Sequence, residues 1–118
     1  MKKTAVAFSL MALMGSAWAA PETYIIDGKH TFPRFSYSHF GYSTQLSRFD
    51  KTSGTIVLDV VAKQGSANVL IDTTSVNTGL ALFNEHIQKE EFFDTGKFPT
   101  ATFVSSQFNF DGDALKSI

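Results

Sequence analysis

Three histidines, His30, His39 and His86, are the side chains of this 118-residue chain that titrate near neutral pH and could bind a metal as neutral imidazoles. Their spacings are unrelated, and none has the i, i+4 partner of a helical metal site. The serines occur without the G-x-S-x-G turn that exposes a nucleophile, and residues 36–39 read as strand alternation. Glu85, Glu90, Glu91 and Asp94 gather around one segment, where a solvated helical face accounts for them better than an acid–base pair. No glycine loop of the phosphate-cradling kind is present. With no catalytic constellation and no metal or cofactor set, the chemistry left to this sequence is the burial of apolar surface. Its carriers are Phe35, Tyr37, Ile56, Leu58, Val69, Ile71 and Phe103, each on the apolar side of an alternating run.

Strands must position these side chains. Residues 24–27 form a short β-branched run stopped by Gly28. Residues 34–39 alternate, with Phe35, Tyr37 and His39 on one face and Arg34, Ser36 and Ser38 on the other. Residues 44–49 follow the Gly41 turn, and residues 50–54 make the next turn. In residues 55–62, Ile56, Leu58 and Val60 face one way. Gln64 and Gly65 are expected to turn the chain into residues 67–73, where Val69 and Ile71 share a face. The pattern predicts an antiparallel meander. One short amphipathic helix interrupts it over residues 80–90, where Leu80, Phe83 and Ile87 recur at helical spacing. Strand character returns in residues 101–105 and 107–110, and Asp111 with Gly112 signals a hairpin into residues 114–118. The chain stops on that return strand, so the sequence reads as the N-terminal part of a longer protein.

Residues 1–19 carry Lys2 and Lys3, an apolar run over residues 5–14 and a closing Ala17, Trp18 and Ala19, the order of a cleavable export signal. The run is about half the length of a membrane span, so no integral membrane segment is expected. Cysteine is absent, which removes both disulfides and a lipoprotein anchor. Residues 20–118 are then one small exported domain, periplasmic in a bacterium. The whole chain has a formal charge of −1, and cleavage removes two lysines. Nucleic acid is therefore excluded as a partner, because backbone binding needs clustered positive charge. Twelve phenylalanines and three tyrosines, of which only Phe8 lies in the leader, either fill a β core or line an apolar cavity.

The run His30, Thr31, Phe32 with Phe35, followed by His39, Phe40, Gly41, Tyr42 and Ser43, resembles the start of the YceI family of periplasmic proteins. The resemblance continues through Ser75 to Thr78, His86 with Ile87, and the stretch of Glu91, Phe92, Phe93, Lys97, Phe98 and Pro99 into residues 101–105. It implies an all-β fold, an eight-stranded antiparallel barrel of lipocalin type with one short helix, here incomplete. It also implies an isoprenoid lipid, polyprenyl or quinone-like, held in the interior. No cofactor is implied apart from that ligand. The matching positions Phe35, His39, His86, Phe92, Phe93 and Phe103 are the ones carried over as ligand-binding candidates. Two positions depart from the family pattern. Phe83 and Asn84 stand where relatives carry an Arg-Asp pair, so a charged network there should be weak or absent, and Ser47 stands where many have glycine.

The reading that follows is a non-catalytic carrier or store for an isoprenoid lipid. Burial of a methylene is worth about 0.8 kcal/mol, so a five-carbon unit supplies roughly 3 to 4 kcal/mol. A few units reach the ~8 kcal/mol of a micromolar complex after ordering costs. Two alternatives stand beside it: an envelope interaction protein with a filled core, and an enzyme using His39 or His86 as a base on an apolar substrate.

Overall fold

The computed structural model describes residues 20–118, and the export-signal expectation for residues 1–19 lies outside them. Nine strands run through these residues: β1 (Glu22–Ile25), β2 (Arg34–His39), β3 (Ser43–Phe49), β4 (Thr52–Asp59), β5 (Gln64–Asp72), β6 (Val76–Asn77), β7 (Thr100–Ser105), β8 (Asn109–Asp111) and β9 (Ala114–Ser117). One helix, α1 (Ala81–Ile87), lies between β6 and β7. The all-β, antiparallel character with a single short helix is as the sequence predicts.

The connectivity is not a meander. A four-stranded sheet has the order β1-β4-β5-β7, a three-stranded sheet the order β2-β3-β6, and β8 and β9 form a separate hairpin. β1 therefore bypasses β2 and β3 to pair with β4, Tyr24 opposite Ile56. Among the described residues the edges of the two larger sheets are not joined, so the strands form open sheets and not a closed barrel.

The chain passes between the two sheets four times, and two of the crossings, at residues 50–51 and at a 3₁₀ turn, Thr73–Ser75, lie side by side. These crossings are bonded to each other: Asp50 N donates to Ser75 O at 3.0 Å and Asp72 N to Lys51 O at 3.1 Å. Asp72 caps the 3₁₀ turn, accepting from Thr74 N at 2.9 Å and from Thr74 Oγ1 at 2.6 Å. Short Asp and Ser side chains substitute here for ladder bonds that a sheet-to-sheet corner cannot make.

Two glycines depart from their expected use. Gly54, expected in a turn, lies inside β4 at φ +136°, where an added Cβ would sit 2.1 Å from Asn68 O. Gly65 lies inside β5 and lets the Phe108 ring approach, since a Cβ there would be 2.7 Å from Phe108 Cε1. The β4–β5 turn comes earlier, at residues 60–63, with Lys63 at φ +54° and Asp59 Oδ1 accepting from Ala62 N at 2.7 Å. Val60, expected on the apolar face of β4, is in that turn and 49% exposed. The buried apolar side chains among the described residues are small or medium: Ala67, Val76 and Ile87.

Candidate functional site

Alternation along β2 puts Phe35, Tyr37 and His39 on one face, and the β2–β3 register sets Ser47, Gln45 and Ser43 opposite them. Phe49 has the same parity in β3, opposite Val76 of β6. The result is a continuous row of rings. Phe35 lies 5.4 Å from Phe49, 6.0 Å from Tyr37 and 5.3 Å, edge-on, from Phe93. Tyr37 lies 6.0 Å from Phe83 of α1, Phe83 6.0 Å from His86, and His86 4.9 Å from Phe92. Each such pair is worth about 0.5–1.5 kcal/mol beyond its area, so the row fixes α1 against β2.

Polar bonds fix the same helix from the other side. Leu80, the residue before α1, supplies no side-chain cap. Asn84 Oδ1 instead accepts from Thr78 N and from Thr78 Oγ1, both at 2.7 Å, tying the first turn of α1 to the end of β6. Gln88 Nε2 donates to Asn84 O at 2.9 Å, and Thr95 Oγ1 donates to Gln88 Oε1 at 3.2 Å. One residue further back, Asn77 Nδ2 donates to Asp50 Oδ2 at 2.8 Å, while Asp50 Oδ1 pairs with Arg48 Nε at 2.6 Å. The uncharged Asn84 thus does the fastening, with the ion pair lying a strand away.

Between the hairpin and the helix is an open pocket of about 660 Å³, within the range of small-ligand sites. Tyr37, Leu80, Leu82 and Phe83 give it an apolar lining. His39, Gln45, Thr78, Glu85, His86 and Lys89 supply the polar positions. Such an arrangement can take up an apolar molecule and meet a polar group on it. Among the described residues no three His, Cys, Asp or Glu side chains gather as metal ligands.

The sequence-predicted residues divide into two sets. Tyr37, His39 and His86 line the pocket. Phe35 and Phe93 back it through the aromatic row, and Phe92 touches His86. Ile56, Leu58, Val69, Ile71 and Phe103 share a face of the other sheet, with Val69 between Gly54 and Phe103, and Ile71 between Thr52 and Ala101. They do not line this pocket. The lining residues that sequence reasoning missed as site residues are Gln45, Thr78, Leu80, Leu82, Phe83, Glu85 and Lys89. Phe83 was legible, since it precedes His86 by three residues on one helical face. Leu82 and Thr78 carry no such signal.

Residues 24–116 match the family model of the YceI-like domain. Curated relatives called Protein YceI, from Salmonella arizonae and Salmonella paratyphi B, are each 39% identical over 121 aligned residues, covering 98% of this chain and 62% of the relative. The chain therefore spans a little under two thirds of those relatives' length. A solved structure, a polyisoprenoid binding domain from Saccharophagus degradans implicated in plant cell wall breakdown, is similar at 24% identity and a TM-score of 0.43, covering 71% of this chain and 40% of that one. With its family model matched across nearly all of the described residues, this chain belongs to the YceI-like family.

Proposed function

We propose that this protein binds an isoprenoid lipid, polyprenyl or quinone-like, and carries or stores it in the periplasm without catalysing a reaction on it. The observation that carries the reading is the pocket between β2, β3 and α1, whose Tyr37, Leu80, Leu82 and Phe83 offer apolar and ring surface beside a few polar groups. Membership of the YceI-like family and the ligand its resemblance implies support the same reading. The prenyl chain lies against Tyr37 and Phe83, and a polar head group turns toward Gln45, His86 or Lys89. Binding needs no charged anchor, because burial at about 0.8 kcal/mol per methylene supplies a micromolar complex from a few isoprene units.

The test is native mass spectrometry of the protein isolated from the periplasm of its host, followed by organic extraction. An isoprenoid recovered at near-equal stoichiometry is expected. A ligand-free protein that also takes up no prenyl lipid on mixing contradicts the reading.

A further inference from the structure

We propose that the tip of the β2–β3 hairpin, Phe40 and Tyr42, is a membrane-docking element that seats the pocket mouth on a lipid bilayer. The inference rests on the lipid-binding reading for its purpose, while its evidence is separate. Phe40 is 84% exposed and Tyr42 92% exposed, so neither ring contributes to the core. Phe40 moreover adopts φ +53°, a conformation in which a bulky side chain is an outlier. The turn closed by Tyr42 N and His39 O has positive φ at both central residues, Phe40 and Gly41, so the hairpin geometry itself holds the Phe40 ring at its tip.

The chemistry of the surrounding segment favours a bilayer over a protein strand or a charged partner. Residues 35–47 contain no Asp, Glu, Lys or Arg. The only two arginines of the chain, Arg34 and Arg48, stand directly opposite each other at the base of this uncharged hairpin. The turn satisfies its own amides, Tyr42 N donating to His39 O at 3.0 Å and Gly41 N to Ser38 Oγ at 3.1 Å. These two tip amides are therefore not offered to an added strand, and they enter an apolar medium already paired. Phenylalanine and tyrosine are the ring types that settle at the boundary of head groups and hydrocarbon.

The tip also adjoins the pocket. The Phe40 ring lies 4.7 Å from that of His39, which lines the pocket together with Gln45 of the same hairpin. Leu80 and Leu82, which line the same pocket, are 61% and 74% exposed. A bilayer that receives Phe40 and Tyr42 is thus placed beside the opening through which an apolar chain would leave or enter. With a net charge of −1, the chain is not drawn to membranes by long-range attraction, so apolar insertion must supply the affinity.

Vesicles of phosphatidylcholine, alone and mixed with phosphatidylglycerol, are titrated with the whole protein and with the double variant Phe40→Asn, Tyr42→Ser. Asparagine tolerates positive φ, so the turn is kept. Co-sedimentation with neutral vesicles at low and high salt is expected for the unmodified protein, with roughly a tenfold loss in the variant. A Phe40→Trp variant is expected to shift its emission to the blue on binding and to be quenched by brominated lipid. Absence of vesicle binding, binding equal in the variant, or binding only to phosphatidylglycerol at low salt overturns the proposal. A prenyl quinone delivered from detergent, without vesicles, tests the pocket separately. Uptake with no vesicle binding refutes the docking element alone, and vesicle binding with no uptake refutes the lipid-binding reading alone.

Discussion

The two larger sheets carry the same sequence signature, a one-sided apolar face, and come to different ends. In β2-β3-β6 that face is covered by α1 and by Phe92 and Phe93, and ring contacts at 4.9–6.0 Å build a pocket wall. In β1-β4-β5-β7 the row of Ile56, Leu58, Val69 and Ile71 is half-buried, as Phe35 and Tyr37 are, but lines no part of that pocket, and Phe103 and Tyr24 are 44% and 47% exposed. Alternation decides which way a side chain points. A site needs a second element laid over that face, and α1 is held in place by Phe83 and Asn84.

Substitutions that strike one sheet at a time break this comparison. The largest effect is expected for Gly54→Ala, about 3 kcal/mol or more, since the new Cβ meets Asn68 O at 2.1 Å in a positive-φ conformation. Chemical denaturation should reveal it as a lowered midpoint. Phe35→Ala removes the ring that touches Tyr37, Phe49 and Phe93, and should cost about 3 kcal/mol together with ligand affinity. Phe103→Ala, at a ring 44% exposed on the other sheet, should cost roughly 1 kcal/mol, and equal losses for the two would erase the distinction.

Smaller changes sharpen it. Asn84→Ala leaves Thr78 N without its acceptor, and should cost roughly 1–2 kcal/mol and weaken ligand binding by loosening α1. The parallel corner on the other side is Asp72. Hydrogen bonding from the Thr74 hydroxyl, aided by Thr74 N and the Lys51 ammonium and opposed by partial burial, holds its carboxyl below the ordinary 3.8. The folded state thus takes up this proton less readily than the unfolded chain. Its stabilising contribution is present above pH 3.8 and is lost as pH falls through the depressed folded value. Asp72→Asn should remove that acid-limb dependence and cost no more than about 1 kcal/mol, since the group is partly exposed. Denaturation midpoints across the acid range check both statements.

Strand positions and faces were readable in the sequence because side-chain period alone determines them, and Phe35, Tyr37 and His39 were assigned to one face on that basis. Pairing was not readable. Nothing in residues 22–25 announces a partner in β4 and not in β2, because side-chain period gives the face of a strand and not its neighbour. Glycine misled twice: Gly54 and Gly65 looked like turn residues and instead serve close approaches inside strands, while Lys63 takes the turn with an Asp59 side-chain bond. In the site, the β2 residues were legible and the helix contribution was underestimated. Phe83 was read as core spacing, although the same spacing carries it from Tyr37 to His86. The face of β4, β5 and β7 was read as part of the same cavity, and alternation has no means of separating two sheets.

The central claim is that an isoprenoid chain lies between the β2–β3 hairpin and α1. A prenyl lipid bearing a photoreactive diazirine, irradiated in complex with the protein and mapped by peptide mass spectrometry, tests it most directly. Labelling is expected on the peptides that contain Tyr37 and residues 80–89, reduced by an excess of unmodified lipid. Labelling confined to β4, β5 and β7, or labelling that the unmodified lipid does not reduce, would contradict it.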